Sequence, residues 1–142
     1  MSVQYIYWAS TALLLLLYAS SAFFYLTKGA WVREALAGLG YPAYLVQFMI
    51  VVKILGPIAI LSRPDPLLSD LAYAGMLYHL LLSGLAHLGV RKPLAAAPAV
   101  AGLMLLAASF LTQNAARETP SPYAPMRFER SAAHGHATER TS

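Results

Sequence analysis

Cysteine is absent from this chain of 142 residues, and charged side chains are scarce. Without cysteine the chain has no disulfide, no thiolate nucleophile, no thiolate ligand for an iron–sulfur cluster and no dithiol relay. Asp, Glu, Lys and Arg make up 11% of the residues, whereas a soluble domain carries about 25%. Because 58% of the residues are hydrophobic, there is too little polar surface to coat a soluble globule. The composition therefore indicates an integral membrane protein, whose redox role, if it has one, depends on a partner or a cofactor.

Four apolar runs are each long enough to cross a bilayer, which takes about 20 residues for a hydrocarbon core of about 30 Å. The predicted membrane helices cover residues 3–27, 42–62, 66–89 and 94–112. The links between them are too short to cross the membrane again. We therefore expect an all-α integral membrane four-helix bundle in residues 1–112, with both termini on one side of the membrane.

The segment between the first two spans has a different character. Residues 31–39 place Arg33 and Glu34 among apolar side chains, which is typical of a short helix lying in the membrane interface. Pro42 follows a Gly-Tyr turn and suits the first position of the second helix, because proline has no N–H to leave unpaired there. The sequence thus predicts an interfacial segment between helices one and two.

The last part of the chain, residues 113–142, gains proline, serine, threonine and alternating charges while it loses aliphatic residues. This composition favours a disordered polar tail. Its His134 and His136 are too few for a metal site, which needs three or four ligands. No phosphate-binding loop, dinucleotide fingerprint or catalytic triad order occurs in the sequence. We therefore predict no metal site and no catalytic residues, and we lean towards a protein without autonomous catalytic activity.

Lys53 places a charge in the middle of the second span. On the lenient insertion scale, such a charge costs about 2.5–3.5 kcal/mol. Pro57, which follows Gly56, cannot donate the helical hydrogen bond to the Lys53 carbonyl, so a bend is expected there. If the turn between the second and third spans is centred near residue 65, Tyr78 and His79 lie at the depth of Lys53.

One face of the third span is polar and small. His79, Ser83 and His87 fall within about 80° of one another on a helical projection. Pairing this face with the second span predicts a central cavity, whose candidate binding residues are Lys53, Tyr78, His79, Ser83 and His87. Two interpretations remain open: a polar cluster that locks the two helices together, or a cavity that binds a ligand. Tyr18 and other tyrosines of the spans have the spacing of packing residues.

Several short motifs resemble the DoxX-like family of small four-helix membrane proteins over about residues 3–112. They are the Leu39–Tyr44 run, Lys53 shortly before a glycine, the Asp70–Gly75 run and the Ala86-His87 pair. The positions that match the family, besides Lys53 and His87, are Tyr41, Pro42, Gly56, Asp70, Tyr73 and Gly75. The resemblance implies a four-helix transmembrane bundle. Two positions depart from the family pattern: Asp70 stands where a glutamate is usual, and His79 where an acidic residue is frequent.

The resemblance also implies a setting, because related DoxX and DoxD proteins are associated with membrane redox complexes that include quinone-linked thiosulfate oxidation. We expect an accessory or binding subunit that supports a membrane redox partner and holds a quinone or another small amphiphile in the cavity. Lys53, with His79 or Tyr78, would donate hydrogen bonds to the two quinone carbonyl groups. The alternatives are a small transporter or exporter with a titrating Lys53 and His79, and an oxidoreductase subunit.

The surroundings of the protein can also be predicted. The net charge of +4 comes mostly from residues in loops and tail, which is a pattern of membrane topology rather than of nucleic-acid binding. We expect the lipid bilayer, a redox protein and a further copy of the chain as partners. We also expect a bacterial inner membrane with cytoplasmic termini, because a charged tail is simplest to leave untranslocated.

Overall fold

The computed structural model describes residues 2–125, in which all regular structure is helical. The α-helices are α1 (Val3–Thr27), α2 (Gly29–Gly38), α3 (Leu45–Ser62), α4 (Pro66–Gly89) and α5 (Ala97–Ala116), and a 3-10 turn over Pro93–Ala96 leads into α5. Within this part of the chain, α1, α3, α4 and the unit of the 3-10 turn with α5 are long and apolar enough to span a membrane. The predicted all-α membrane four-helix bundle is confirmed.

The four long helices form a ring. α1 packs against α3 and α5, and α4 packs against the same two helices, so α1 and α4 face each other across the centre. The Gln4 side chain donates to the Ala115 carbonyl over 3.2 Å, which places the start of α1 beside the end of α5. We call this the terminal end of the bundle, and the opposite end, where α2 contacts α1 and α3, the loop end.

Side-chain caps explain where two helices begin. The Ser2 hydroxyl accepts from the Gln4 amide at 3.3 Å, and the Asp65 carboxylate accepts from the Leu67 amide at 2.7 Å. Each cap satisfies an amide that has no partner inside its helix. Pro66 then occupies the first turn of α4, where its missing N–H costs nothing.

Three predicted helix boundaries differ from the structure. α5 begins at Ala97 rather than at 94, because the 3-10 turn over Pro93–Ala96 precedes it. α3 begins at Leu45 rather than at Pro42, because Pro42 lies in a turn whose carbonyl accepts from the Leu45 amide at 3.2 Å. α5 continues to Ala116, beyond the predicted end at 112, because the polar residues that follow are buried in the bundle. α2 takes the place of the predicted interfacial segment 31–39. The rest of the predicted tail, 126–142 with His134 and His136, lies outside the described residues.

α3 stays helical through Pro57, and the bend expected there remains a prediction. Next to it, Gly56 brings α3 close to α4, since a Cβ atom at this position would lie 3.1 Å from Met76 Cε. Close approach of helices at small residues is typical of membrane bundles.

Buried aliphatic side chains from all four long helices meet in the middle of the bundle. They are Leu14, Ile60, Met76, Leu80 and Leu106, and we call them the apolar layer. Gly102 of α5 packs tightly beside this layer, because a Cβ atom there would lie 2.8 Å from Leu80 Cδ2. Leu14, Met76 and Leu106 of this layer lie, along their helices, between two polar regions, one toward each end of the bundle.

Candidate functional site

A cavity of about 360 Å³ lies between the apolar layer and the loop end. α1, α4 and α5 form its walls, and α3 contributes a single side chain, Lys53. The lining residues are Leu17, Tyr18, Ser20, Ser21, Phe24, Tyr25, Lys53, His79, Leu80, Ser83, Pro98 and Ala99. We call this space the lysine cavity.

Lys53 is 5% exposed, although its side chain is charged in water. Its ammonium nitrogen lies 4.9 Å from the ring centroid of Tyr25 and 5.3 Å from that of Tyr18. Both distances are within the range of cation–π attraction, which is strongest when the cation is removed from water. No acidic side chain in residues 2–125 forms an ion pair with Lys53. Two aromatic rings therefore stand where a buried cation usually meets a carboxylate.

His79 is held by Tyr18 across the centre of the ring of helices. Its Nδ1 atom lies 2.9 Å from the Tyr18 hydroxyl oxygen, and the two rings pack edge to face with centroids 5.6 Å apart. If the hydroxyl donates to Nδ1, then Nε2 carries the proton and is a donor; in the other tautomer Nε2 is an acceptor. In both cases Tyr18 orients the imidazole and leaves Nε2 for a second partner.

Hydroxyl groups and apolar side chains complete the lysine cavity. Ser83 follows His79 by one helical turn on α4, and Ser20 and Ser21 lie on α1. The remaining wall is apolar and includes Leu17, Leu80 and Pro98. A site with a cation, an imidazole, several hydroxyls and apolar walls can orient a polar head while it accommodates an apolar body.

The structure brings together three of the five candidate binding residues, Lys53, His79 and Ser83. Tyr78 is 67% exposed and is not among the lining residues. His87 is half-buried beyond the cavity, and its Nδ1 atom is enclosed without a hydrogen-bond partner in the described chain.

Sequence reasoning missed the wall that α1 gives to the lysine cavity, including Tyr18 and Tyr25, whose rings contact Lys53. They lie on α1, and Ser21 stands between them. A spacing of three and four residues puts all three on one helix face. That polar and aromatic stripe, which directly follows the aliphatic run of residues 12–17, was the signal that could have revealed them.

The residues that match the family motif are spread over the bundle. Tyr41 and Pro42 lie in the link before α3, at the loop end. Gly56 lies against Met76, whereas a Cβ atom at Gly75 would meet no atom within 4 Å. The motif thus contributes to helix packing and to the loop end as well as to the cavity.

Asp70 belongs to a second polar region, at the terminal end. Asp70 lies near the start of α4, and it is buried. Its carboxylate accepts from Gln113 Nε2 at 3.3 Å and from the Ser121 hydroxyl. Gln113 of α5 and Ser121 of the segment 117–125 cover it there. Asp70 is thereby satisfied on the far side of the apolar layer from Lys53.

Hydroxyl groups continue this second region into the bundle. Tyr73 OH lies 2.7 Å from Ser109 Oγ, which lies 2.6 Å from Thr11 Oγ1. Together with Asp70 and the side chains that bond it, these three residues form what we call the terminal polar cluster. Three helices are joined here by hydrogen bonds between side chains.

Two arginines border the terminal polar cluster. Arg117 donates to the Tyr7 hydroxyl at 2.9 Å and to the Ile60 and Leu61 carbonyls at 2.9 and 2.8 Å, which caps the end of α3. Arg63 donates to the Thr119 carbonyl at 2.8 Å. Burial lowers the pKa of the Arg63 guanidinium, and the charge of Arg117 lowers it further.

Another cavity, of about 540 Å³, lies between α4 and α5. Aliphatic side chains and Phe110 form most of its wall, with Tyr123 beside them. It offers few groups that could orient a polar head, so the lysine cavity is the better candidate site. Among residues 2–125, no cluster of three or more His, Cys, Asp or Glu side chains could hold a metal ion.

Comparison with known proteins identifies the family. The profile of the DoxX-like family matches residues 9–109, which is more than half of the chain and spans all four long helices. No curated protein and no solved structure gives a significant match. The matched range includes Lys53, His79 and the other lining residues of the lysine cavity. The chain therefore belongs to the DoxX-like family.

Proposed function

We propose that this protein is an accessory binding subunit that holds the head of a quinone or another small amphiphile in the lysine cavity and supports a membrane redox partner. The observation that carries the proposal is the burial of Lys53 at the cavity wall without an acidic partner among the described residues. Such a charge is costly inside a membrane and marks functional sites more often than packing sites. The polar head of a bound ligand would accept hydrogen bonds from the Lys53 ammonium and so offset the cost of its burial.

The donors of the cavity suit a quinone head. A quinone ring carries two carbonyl oxygens on opposite edges, so two donors on different helices can each hold one of them. Lys53 on α3 can donate to one oxygen, and His79 on α4 to the other when Tyr18 donates to its Nδ1 atom. The volume of about 360 Å³ falls within the range of about 300–1,000 Å³ that is usual for small-molecule sites.

The apolar layer favours binding over transport. Its five side chains are at most 4% exposed, and Leu14, Met76 and Leu106 lie along their helices between the lysine cavity and the terminal polar cluster. A substrate path through the bundle would need polar groups at this depth. The cavity therefore has the form of a one-ended binding site.

We further propose that the protein lies in a bacterial inner membrane with its termini in the cytoplasm. The segment after α5 begins with Arg117 and Glu118, and a charged segment is simplest to leave untranslocated. In this orientation the lysine cavity lies in the outer half of the membrane. A quinone or a partner domain on the outer face would then reach it from the loop end.

Binding of decylubiquinone to purified protein in nanodiscs of neutral phosphatidylcholine tests the proposal. Lys53→Met keeps the apolar stem and removes the head, so we expect at least about a tenfold loss of affinity, the size of one hydrogen bond to a charged group. Lys92→Met is the matched control, because Lys92 is exposed in the link between α4 and α5. It should bind like the unchanged protein.

Thermal unfolding of each variant in the same nanodiscs separates binding from structure. If Lys53→Met binds decylubiquinone as well as the unchanged protein and only its unfolding temperature changes, then Lys53 is a packing residue and the proposal fails.

A further inference from the structure

The lysine cavity carries one basic side chain and no acidic one. α1 contributes Tyr18 and Tyr25, α4 contributes His79, and α5 contributes only Pro98 and Ala99. The acidic residues of the described chain lie elsewhere: Glu34 is exposed on α2, and Asp65, Asp70 and Glu118 are at the terminal end. No counter-charge for Lys53 comes from any helix that lines the cavity.

The tyrosine rings only partly replace a counter-ion. They attract the ammonium through their faces, but a ring face offers no oxygen lone pair to the three N–H groups of a lysine. Two other charged side chains in residues 2–125 are satisfied by several hydrogen bonds. Asp70 accepts two of them, and Arg117 donates to a hydroxyl and two carbonyls. Arg63 donates to the Thr119 carbonyl, although its Nε and Nη1 atoms have no partner in this part of the chain. Lys53 contacts two aromatic rings instead, and it is the charge that lines the lysine cavity.

We infer that the lysine cavity selects an amphiphile whose head carries one negative charge, such as a carboxylate on a hydrocarbon chain. The inference rests on the proposed function, since it concerns the same cavity and narrows the class of its ligand. The carboxylate pairs with the Lys53 ammonium, because charge-assisted hydrogen bonds are about twice as strong as neutral ones. Ser83 and His79 line the same cavity from α4. The Ser83 hydroxyl can donate to the second oxygen, and so can His79 Nε2 when Tyr18 donates to Nδ1.

The remaining surface of the cavity favours an amphiphile over a small aqueous anion. Leu17, Leu80 and Pro98 offer apolar contact to a chain, and burial of each methylene contributes about 0.8 kcal/mol. The cavity also lies inside a bundle of membrane-spanning helices, where lipid-borne molecules are concentrated. The charge of Lys53 and the apolar wall of the cavity together therefore favour a fatty carboxylate over a small free anion.

Equilibrium dialysis with radiolabelled probes tests this inference on the full chain in nanodiscs of neutral phosphatidylcholine, with empty nanodiscs subtracted. The probes are laurate, 1-dodecanol, dodecyltrimethylammonium, decylubiquinone and butyrate. We expect laurate to bind at least about tenfold more tightly than dodecanol, since the two differ in the charge of the head. Dodecyltrimethylammonium should not bind above the empty nanodiscs. Butyrate should compete weakly, and competition as strong as that of laurate would overturn the assignment to an amphiphile.

Substitutions at Lys53 test whether this residue causes the preference for laurate over dodecanol. Lys53→Met should abolish the preference for laurate over dodecanol, whereas Lys53→Arg and the control Lys92→Met should keep it. The comparison of probes on the unchanged protein needs no variant, so it stands even if Lys53→Met does not fold.

The outcomes separate the two proposals. If dodecanol or decylubiquinone binds as tightly as laurate, the inference of an anionic head is overturned while the proposed binding function stands. If no probe binds above the empty nanodiscs, both are overturned.

Discussion

Tyr18 contacts two polar side chains of the lysine cavity at once. Its ring lies 5.3 Å from the Lys53 ammonium, and its hydroxyl lies 2.9 Å from His79 Nδ1. One residue of α1 therefore positions both polar groups that α3 and α4 bring to the centre. The geometry of the lysine cavity therefore depends on α1, although Lys53 belongs to α3 and His79 to α4.

Gly102 is the residue at which packing tolerates least change. In Gly102→Ala the new Cβ atom would lie 2.8 Å from Leu80 Cδ2 and 3.1 Å from Leu17 Cδ2, so either these two leucine side chains or α5 itself must move. We expect a loss of about 1–3 kcal/mol, as for other overpacked sites. The measurement is unfolding in mixed micelles of increasing denaturing-detergent content.

Gly75→Ala is the matched control for this change, because nothing lies within 4 Å of its Cβ position on α4. Alanine there should be neutral or slightly stabilising, since it restricts the unfolded chain. Equal destabilisation by both substitutions would show that helix flexibility, rather than contact, explains the effect.

Part of the candidate site could be predicted from the sequence at this scale. The helical spacing of His79 and Ser83 and the isolation of Lys53 in an apolar span were enough to place these three together. Tyr78 was included because its depth matched that of Lys53, but depth ignores rotation about the helix axis. Tyr18 could not be told from a packing residue, because its role depends on contacts between helices distant in sequence.

At the scale of elements, α5 does more than cross the membrane. Its last turn carries Gln113 and Asn114, both fully buried. Asn114 Nδ2 donates to the Ser121 and Ala124 carbonyls, and its Oδ1 accepts from the Ser121 amide. The helix thereby folds the segment 117–125 back across the terminal end.

Asp70→Asn should loosen this segment. An amide has one acceptor oxygen fewer than the carboxylate that now accepts from Gln113 and Ser121, and hydrogen bonds to charged groups contribute about 1.5–3 kcal/mol. We expect trypsin to cleave after Arg117 at least about tenfold faster in nanodiscs.

The control for this prediction is Asp65→Asn. It makes the same chemical change at an exposed position, where asparagine caps a helix as well as aspartate does. Cleavage that is equally fast in both variants, or unchanged in Asp70→Asn, would contradict the assigned role of Asp70.

Helix boundaries were predictable where local chemistry sets them. Asp65 and Pro66 mark the start of α4 in the sequence, and the structure begins the helix there. The end of α5 was not predictable in this way. Gln113 and Asn114 look like the beginning of a polar tail, and only the folded segment 117–125 shows that they are buried. Composition cannot distinguish a polar residue that meets water from one that meets a carbonyl inside the protein.

For the whole molecule, the arrangement of the four long helices predicts which residues lie on the same side of the membrane. The chain has no native cysteine, so single substitutions can be labelled cleanly. Ser2→Cys and Glu118→Cys should react with a membrane-impermeant maleimide from the same side, because both lie at the terminal end. Intact cells and inverted vesicles provide the two sides.

Lys28→Cys and Lys92→Cys report on the loop end and should label from the opposite side. Labelling of Ser2→Cys from the side of Lys28→Cys would rule out the arrangement of the helices. Protection of the terminal-end pair in intact cells, with labelling in inverted vesicles, is the result expected for cytoplasmic termini.

The ring has a consequence for biogenesis, since a ribosome delivers the helices in order from the N-terminus. α1 is already in the bilayer when α3 arrives, and α1 is the helix that carries Tyr18 and Tyr25. Lys53 can therefore be sheltered from lipid as soon as its own helix is inserted. The wall formed by α5 is made last, so the nascent protein holds its cation beside an unfinished pocket that stays open to the lipid until the ring closes.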